Sequence, residues 1–157
     1  NEAKTFNDTT RIMIGEIENK IKTIISDNLE DYFGDAWLVK GLPRNIYTKA
    51  KKMADDRTYD LLFNNDDADD IKIWDFVPLS DYQAIVLNGK NWSTFFEDIM
   101  VRPEETKIAG GKEAKTQWIL RLSAIKNKLS KESYSVPVDE YSYVKSIHDW
   151  IMDMLTL

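Results

Sequence analysis

Lys126, Asn127 and Lys131 close a stretch, Trp118 to Lys131, in which apolar residues recur at helical spacing and basic residues gather at the end. Ammonium groups and a carboxamide within two turns of one helix offer point charges and donors for a phosphate. Arg121 and Lys128 extend the basic character along the same segment. From Lys112 to Lys131 six residues are basic and one, Glu113, is acidic; this +5 leaves −11 for the rest of a chain whose net charge is −6. The overall balance argues against a general nucleic-acid binder, while the segregation of positive charge singles out one helix. A second meaning stays open, because a run of lysines is also the solvated face of an amphipathic helix.

Other groups able to do chemistry are few. His148 is the only histidine and lies between Ile147 and Ile151, on the apolar stripe of the last helix, so a structural or surface role is expected for it. Asn64 to Asp70 is acidic but lacks the central Gly and terminal Glu of an EF-hand, and is expected to be a solvated loop. With no cysteine, disulfides, thiolate zinc sites and thiol nucleophiles are excluded. No metal and no cofactor is expected.

The elements that must position these residues read as helices. Asp8 is the expected N-cap of a first long helix carrying Ile14, Ile17, Ile21, Ile24, Ile25 and Leu29 at helical spacing, with Gly34 after it and Trp37 docking beyond. Pro43 suits the first turn of a second helix, whose apolar face is Ile46, Ala50 and Met53, with Lys49, Lys51 and Lys52 toward water. Ile71 to Val77 alternates like a strand, but it is short, isolated and closed by Pro78, so an extended connector is expected. Ser80 is the expected cap of a short helix with Tyr82, Ile85 and Val86, ended by Asn88-Gly89. Trp92, Phe95, Phe96 and Ile99 form the apolar face of the next helix. Pro103 and Gly110-Gly111 bound a polar, flexible loop.

Trp118, Leu122, Ile125 and Leu129 make the inward stripe of the basic helix. After a turn at Ser135 to Pro137, a last helix opens at Asp139 or its neighbour, with Tyr141, Val144, Ile147, Ile151 and Leu155 inward. The fold class is all-α, a bundle of about five to seven helices with short irregular connectors. At 157 residues a single domain spanning 1–157 is expected. The chain begins with Asn1, which suggests a domain cut from a longer polypeptide. No apolar run approaches a bilayer-spanning length and the N-terminus has no signal-peptide pattern, so a cytoplasmic location without membrane partners is expected.

The order of tryptophan, an arginine-leucine pair, isoleucine, a basic residue and asparagine from Trp118 to Asn127, then a turn and a Tyr/Trp-rich last helix, resembles the signature of the HEPN superfamily. The group it is most similar to is found in RNA endonucleases and prokaryotic multidomain proteins. Gly34-Asp35-Ala36-Trp37, Leu79 to Val86, and Asn91-Trp92 ahead of Phe95-Phe96 carry the likeness upstream, so that it covers about Arg11 to Leu155. The resemblance implies an antiparallel helical bundle and a dimer formed through the signature helix. In active members an arginine and a histidine from the paired helices converge on one phosphodiester, without metal. Asn127 matches the asparagine of that motif, whereas Lys126 stands in place of the arginine and Lys131 in place of the histidine.

The first exchange keeps a point charge for phosphate. The second removes the group that titrates near neutrality, since a lysine at ~10.4 must fall by about three pH units, roughly 4 kcal/mol, to do the same. The expected function is therefore a non-catalytic, dimerising module that binds RNA or a nucleotide phosphate through Lys126, Asn127, Lys131, Arg121 and Lys128. By the resemblance it would serve a larger protein with ATPase, helicase or nuclease modules. Two alternatives stand beside it. One is a ribonuclease with substituted groups, for which Lys131, Tyr134 and Glu132 are candidate acids and bases. The other is a protein–protein adaptor using Trp37, Trp74, Trp92, Trp118 and Trp150, although five tryptophans are more often core or dimer-interface residues.

Overall fold

Ile14, Ile17, Ile21, Ile24, Ile25 and Leu29 fall on one stripe of a single helix, α1 (Glu2–Phe33), and all six are buried. The computed structural model describes residues 2–105 and 110–154. Helix α1 starts before Asp8, so Asp8 is not its N-cap; its carboxylate pairs instead with Arg11 one turn on, at 2.9 Å. Tertiary contacts hold the added turn: Phe6 meets the Tyr141 ring edge-on at 4.8 Å, and Asn7 donates to the Tyr134 carbonyl and accepts from the Val136 N–H. Gly34, at φ +67°, takes the left-handed position that ends the helix.

A short helix α2 (Trp37–Gly41) leads through Pro43, which sits just outside the next helix, to α3 (Arg44–Phe63). Ile46 and Ala50 face inward as expected. Met53 does not: it is 48% exposed, and Ala54 takes the buried place. Positions three and four beyond Ala50 both suit a helical stripe, and the smaller side chain lets α3 lie close on the segment beneath it. That segment forms no strand; it is a connector with a 3₁₀ turn at Ile73–Phe76. The turn plants Trp74 in the core, edge-on to Trp37 at 5.3 Å and stacked on Tyr82 at 5.7 Å. Ser80 lies inside a second 3₁₀ turn, Leu79–Asp81, and makes no cap to α4 (Tyr82–Val86). The helix expected around Phe95 is a π-helical turn, Trp92–Phe96, in which the Glu97 N–H donates to the Trp92 carbonyl at 2.8 Å. Residues 106–109 of the loop after Pro103, and Leu155, lie outside the described residues.

A single turn, α5 (Lys112–Lys115), precedes α6 (Gln117–Leu129), and α7 (Val138–Met154) closes the fold. The stripe of Trp118, Leu122, Ile125 and Leu129 is buried, joined by Ile119. Trp118 donates its indole N–H to the Met100 carbonyl at 2.9 Å and meets Trp150 edge-on. Cross-helix contacts give the directions. Arg11 reaches Leu129 and Glu18 reaches Lys126, so α6 runs antiparallel to α1. Trp118 pairs with Trp150 and Lys128 with Glu140, so α7 turns back along α6 and lies parallel to α1. Three long helices thus pack side by side, with seven α-helices and no strand among the described residues. No helix among them is long and apolar enough to cross a membrane.

Candidate functional site

Residues two apart on an α-helix point about 200° apart, so Lys126 and Lys128 leave α6 on opposite sides. Lys126 turns to α1 and pairs with Glu18 at 2.7 Å, while Lys128 turns to α7 and pairs with Glu140 at 3.1 Å. Glu140 also accepts a short hydrogen bond from the Tyr134 hydroxyl. Arg121 lies with its guanidinium 3.7 Å over the Tyr143 ring on α7, a cation–π contact worth roughly 0.5–2 kcal/mol. The structure therefore does not bring the five expected residues together. Lys128 and Arg121 brace α6 against α7, away from Lys126.

What remains on the α1 side is a shallow groove of about 300 Å³ lined by Arg11, Ile14, Gly15, Lys126, Leu129 and Ser130. Arg11 was not among the expected site residues. Its guanidinium donates to the Leu129 carbonyl at 2.9 Å, at the end of α6, and holds Asp8 with its other terminal nitrogen. A cation at a helix C-terminus complements the orphan carbonyls and the dipole, which accounts for the position of Arg11 without any ligand. Ile14 and Leu129 give the groove an apolar floor. Gly15 widens it: a Cβ added there meets nothing within 4 Å, so no close packing demands glycine at this point. An interior helix glycine that packing does not require was the one local signal in the sequence for this groove.

Asn127 and Lys131 follow at the same end of α6, both exposed, and neither side chain has a hydrogen-bond or ion-pair partner among the described residues. The Asn127 carbonyl accepts from the Ser130 hydroxyl at 2.6 Å, which tightens the last turn. His148 lies elsewhere: its Nε2 is buried, 3.6 Å from a Glu16 carboxylate oxygen. Glu16 and Glu18 are also two residues apart, so histidine and Lys126 stand on different sides of α1.

Among the described residues no group of His, Asp or Glu is placed to hold a metal, the acidic Asn64–Asp70 loop included. The tryptophans are core elements: Trp74, Trp92 and Trp118 are buried, and Trp37 and Trp150 pack against that core. None of the five is an exposed residue. No family model, no curated protein and no solved structure matches the chain.

Proposed function

We propose that this domain is a non-catalytic, HEPN-like binding module that holds a phosphate of RNA or of a nucleotide at the groove between α1 and α6. The observation that supports this most is that Arg11 and Lys126, from two different helices, line one groove, with the unpartnered side chains of Asn127 and Lys131 at the same end of α6. Lys126 is reachable by a ligand. Its partnership with Glu18 is half exposed, and such pairs are worth about 0–1 kcal/mol, so a phosphate can displace the carboxylate at small cost.

The side chains support the absence of catalysis. The only histidine, His148, faces Glu16, on a different side of α1 from the Glu18 that holds Lys126. The hydrogen bond to Glu140 pushes Tyr134 up to about 12, further from neutrality than an ordinary tyrosine. The proposal includes pairing of two copies through α6 and service to a longer protein with an ATPase or nuclease module. The exposed face of α6 carries Arg121, Ala124, Asn127 and Lys128 and no large apolar residue, so a seam there is polar and weak in the absence of a bridging anion.

The test combines binding and cleavage. Fluorescence anisotropy with a single-stranded RNA should show salt-dependent binding that weakens in Lys126→Ala, while the same RNA stays intact. Sedimentation velocity with and without RNA reads the pairing. RNA cleavage that is lost in both Lys126→Ala and Lys131→Ala would overturn the non-catalytic assignment, and absence of any salt-dependent binding would overturn the phosphate site.

A further inference from the structure

A second pocket, of about 260 Å³, lies where α1 ends against α2 and the turn after α4. Tyr32, in the last turn of α1, is 65% exposed although the two rings that hold it edge-on, Phe33 and Phe95, are packed against the core. Centroid separations of 4.9 and 5.2 Å to those rings fix its plane while most of its surface stays open. Two lysines stand in the same lining, Lys40 from α2 and Lys90 from the turn, and no carboxylate does.

The two lysines are not engaged by carboxylates, as several others on this surface are. Lys22, Lys49, Lys51, Lys52, Lys126, Lys128 and Lys145 each hold an aspartate or glutamate, whereas Lys40 and Lys90 have no ion pair among the described residues. They are also held in place relative to each other. The Asn88 and Asn91 carboxamides, on either side of Lys90, both donate to the carbonyl of Gly41, the residue after Lys40, at 3.0 and 2.8 Å. Asn91 is buried and donates to the Ile85 carbonyl as well. Gly89, at φ +51°, permits the turn that brings Lys90 round.

We infer that this pocket binds a nucleoside monophosphate unit, with the base on the Tyr32 ring and the phosphate between Lys40 and Lys90. An aromatic face with cations beside it is the combination that takes a base and its phosphate together, and stacking of this kind tolerates any base. The volume falls just below the ~300–1,000 Å³ range of small-molecule sites, which leaves room for one nucleotide at most. Gly15 and Tyr32 are 17 positions apart on α1, about 25 Å at 1.5 Å per residue, so the pocket is independent of the α1–α6 groove. The unit is either a free nucleotide or the end of an RNA chain.

The experiment is a titration of ¹⁵N-labelled protein with AMP, with the Gly89 and Gly15 amides as separate reporters. AMP should move Gly89 and leave Gly15 in place. Tyr32→Ala should weaken binding at least fivefold, Tyr32→Phe should retain it, and Lys40→Glu and Lys90→Glu should each weaken it severalfold. Ribose 5-phosphate, lacking the base, should bind at least fivefold more weakly than AMP. A 5′-phosphorylated oligoadenylate that binds more tightly than AMP assigns an RNA end, and the reverse order assigns a free nucleotide. Absence of a Gly89 response at millimolar AMP overturns the inference. So does a response confined to Gly15, or Tyr32→Ala binding like the wild type.

Discussion

Glu18 is the residue whose loss should make the proposed phosphate site better. Its carboxylate holds Lys126 at 2.7 Å, with the lysine 52% and the glutamate 25% exposed. An exposed or half-exposed pair of this kind contributes roughly 0.2–1 kcal/mol, and a phosphate that recruits Lys126 must first forgo it. Glu18→Gln removes that competition, which at 1.4 kcal/mol per tenfold corresponds to roughly 1.5- to 5-fold tighter binding. Salt dependence gives a second, sharper readout. If Arg11, Lys126 and Lys131 each meet one phosphate of a single strand, the logarithm of affinity should fall with the logarithm of salt at a slope of about −2, because each contact contributes about −0.7. Lys126→Ala should flatten this by about 0.7, and Glu18→Gln should leave it unchanged or steepen it slightly. Anisotropy with a short single-stranded RNA between low and moderate salt measures both quantities. The same pair stabilises the fold, so Glu18→Gln should also lower the melting temperature by no more than about 4 °C. If Glu18→Gln binds no better than wild type while Lys126→Ala binds no worse, Lys126 is not at the phosphate and the site assignment fails.

Two further outcomes follow from single positions. Gly15→Ala should stabilise the protein by about 1 kcal/mol, raising the melting temperature about 2–4 °C by calorimetry, since an added methyl meets nothing and an interior helix glycine costs about that much; a lower melting temperature would show that α1 needs glycine there. For Tyr134, the folded-state value of about 12 lies above the ordinary tyrosine value of 10.0. The folded protein therefore keeps a proton that the unfolded chain loses, and the associated stability is fully present below pH 10 and lost as pH rises toward 12. Denaturant unfolding between those values should show a smaller pH dependence in Tyr134→Phe, and ultraviolet titration of that variant should lack one late phenol. Burial holds Tyr82 higher still, so it should ionise after Tyr134.

The bundle was legible where one helix speaks for itself. The stripes of α1 and α6 depend on spacing within the segment, and every apolar residue expected on them that the structure describes is buried. The failures have a common cause in contacts made across the fold. Asp8 looks like a cap because capping is judged locally, while the turn before it is held by Tyr141 and Val136, more than a hundred positions away. Met53 is the better apolar residue, yet Ala54 is buried, because α3 must approach the Ile73–Phe76 turn closely. The second pocket joins three segments whose only sequence signal is an ordinary scatter of Lys, Asn and aromatic residues. Nothing in their spacing marks a site.

Charge illustrates the same limit and bears most directly on function. Between Lys112 and Lys131 the chain carries +5, which in isolation describes a strong anion site. In the fold, Lys112 gives its ammonium to the Leu87 carbonyl, Arg121 lies on Tyr143, and Lys126 and Lys128 hold glutamates that belong to other helices. Two carboxylates, a backbone carbonyl and an aromatic ring from the rest of the chain thus occupy four of the six cations. Only Lys115 and Lys131 of that window are left without a partner among the described residues. A site in which Lys126 and Arg11 must each give up an internal carboxylate to bind phosphate gains affinity from the difference between two similar interactions. Binding should therefore be weak and sensitive to salt. Such a site suits a module that acts when it is tethered beside its ligand, where effective concentration replaces intrinsic affinity.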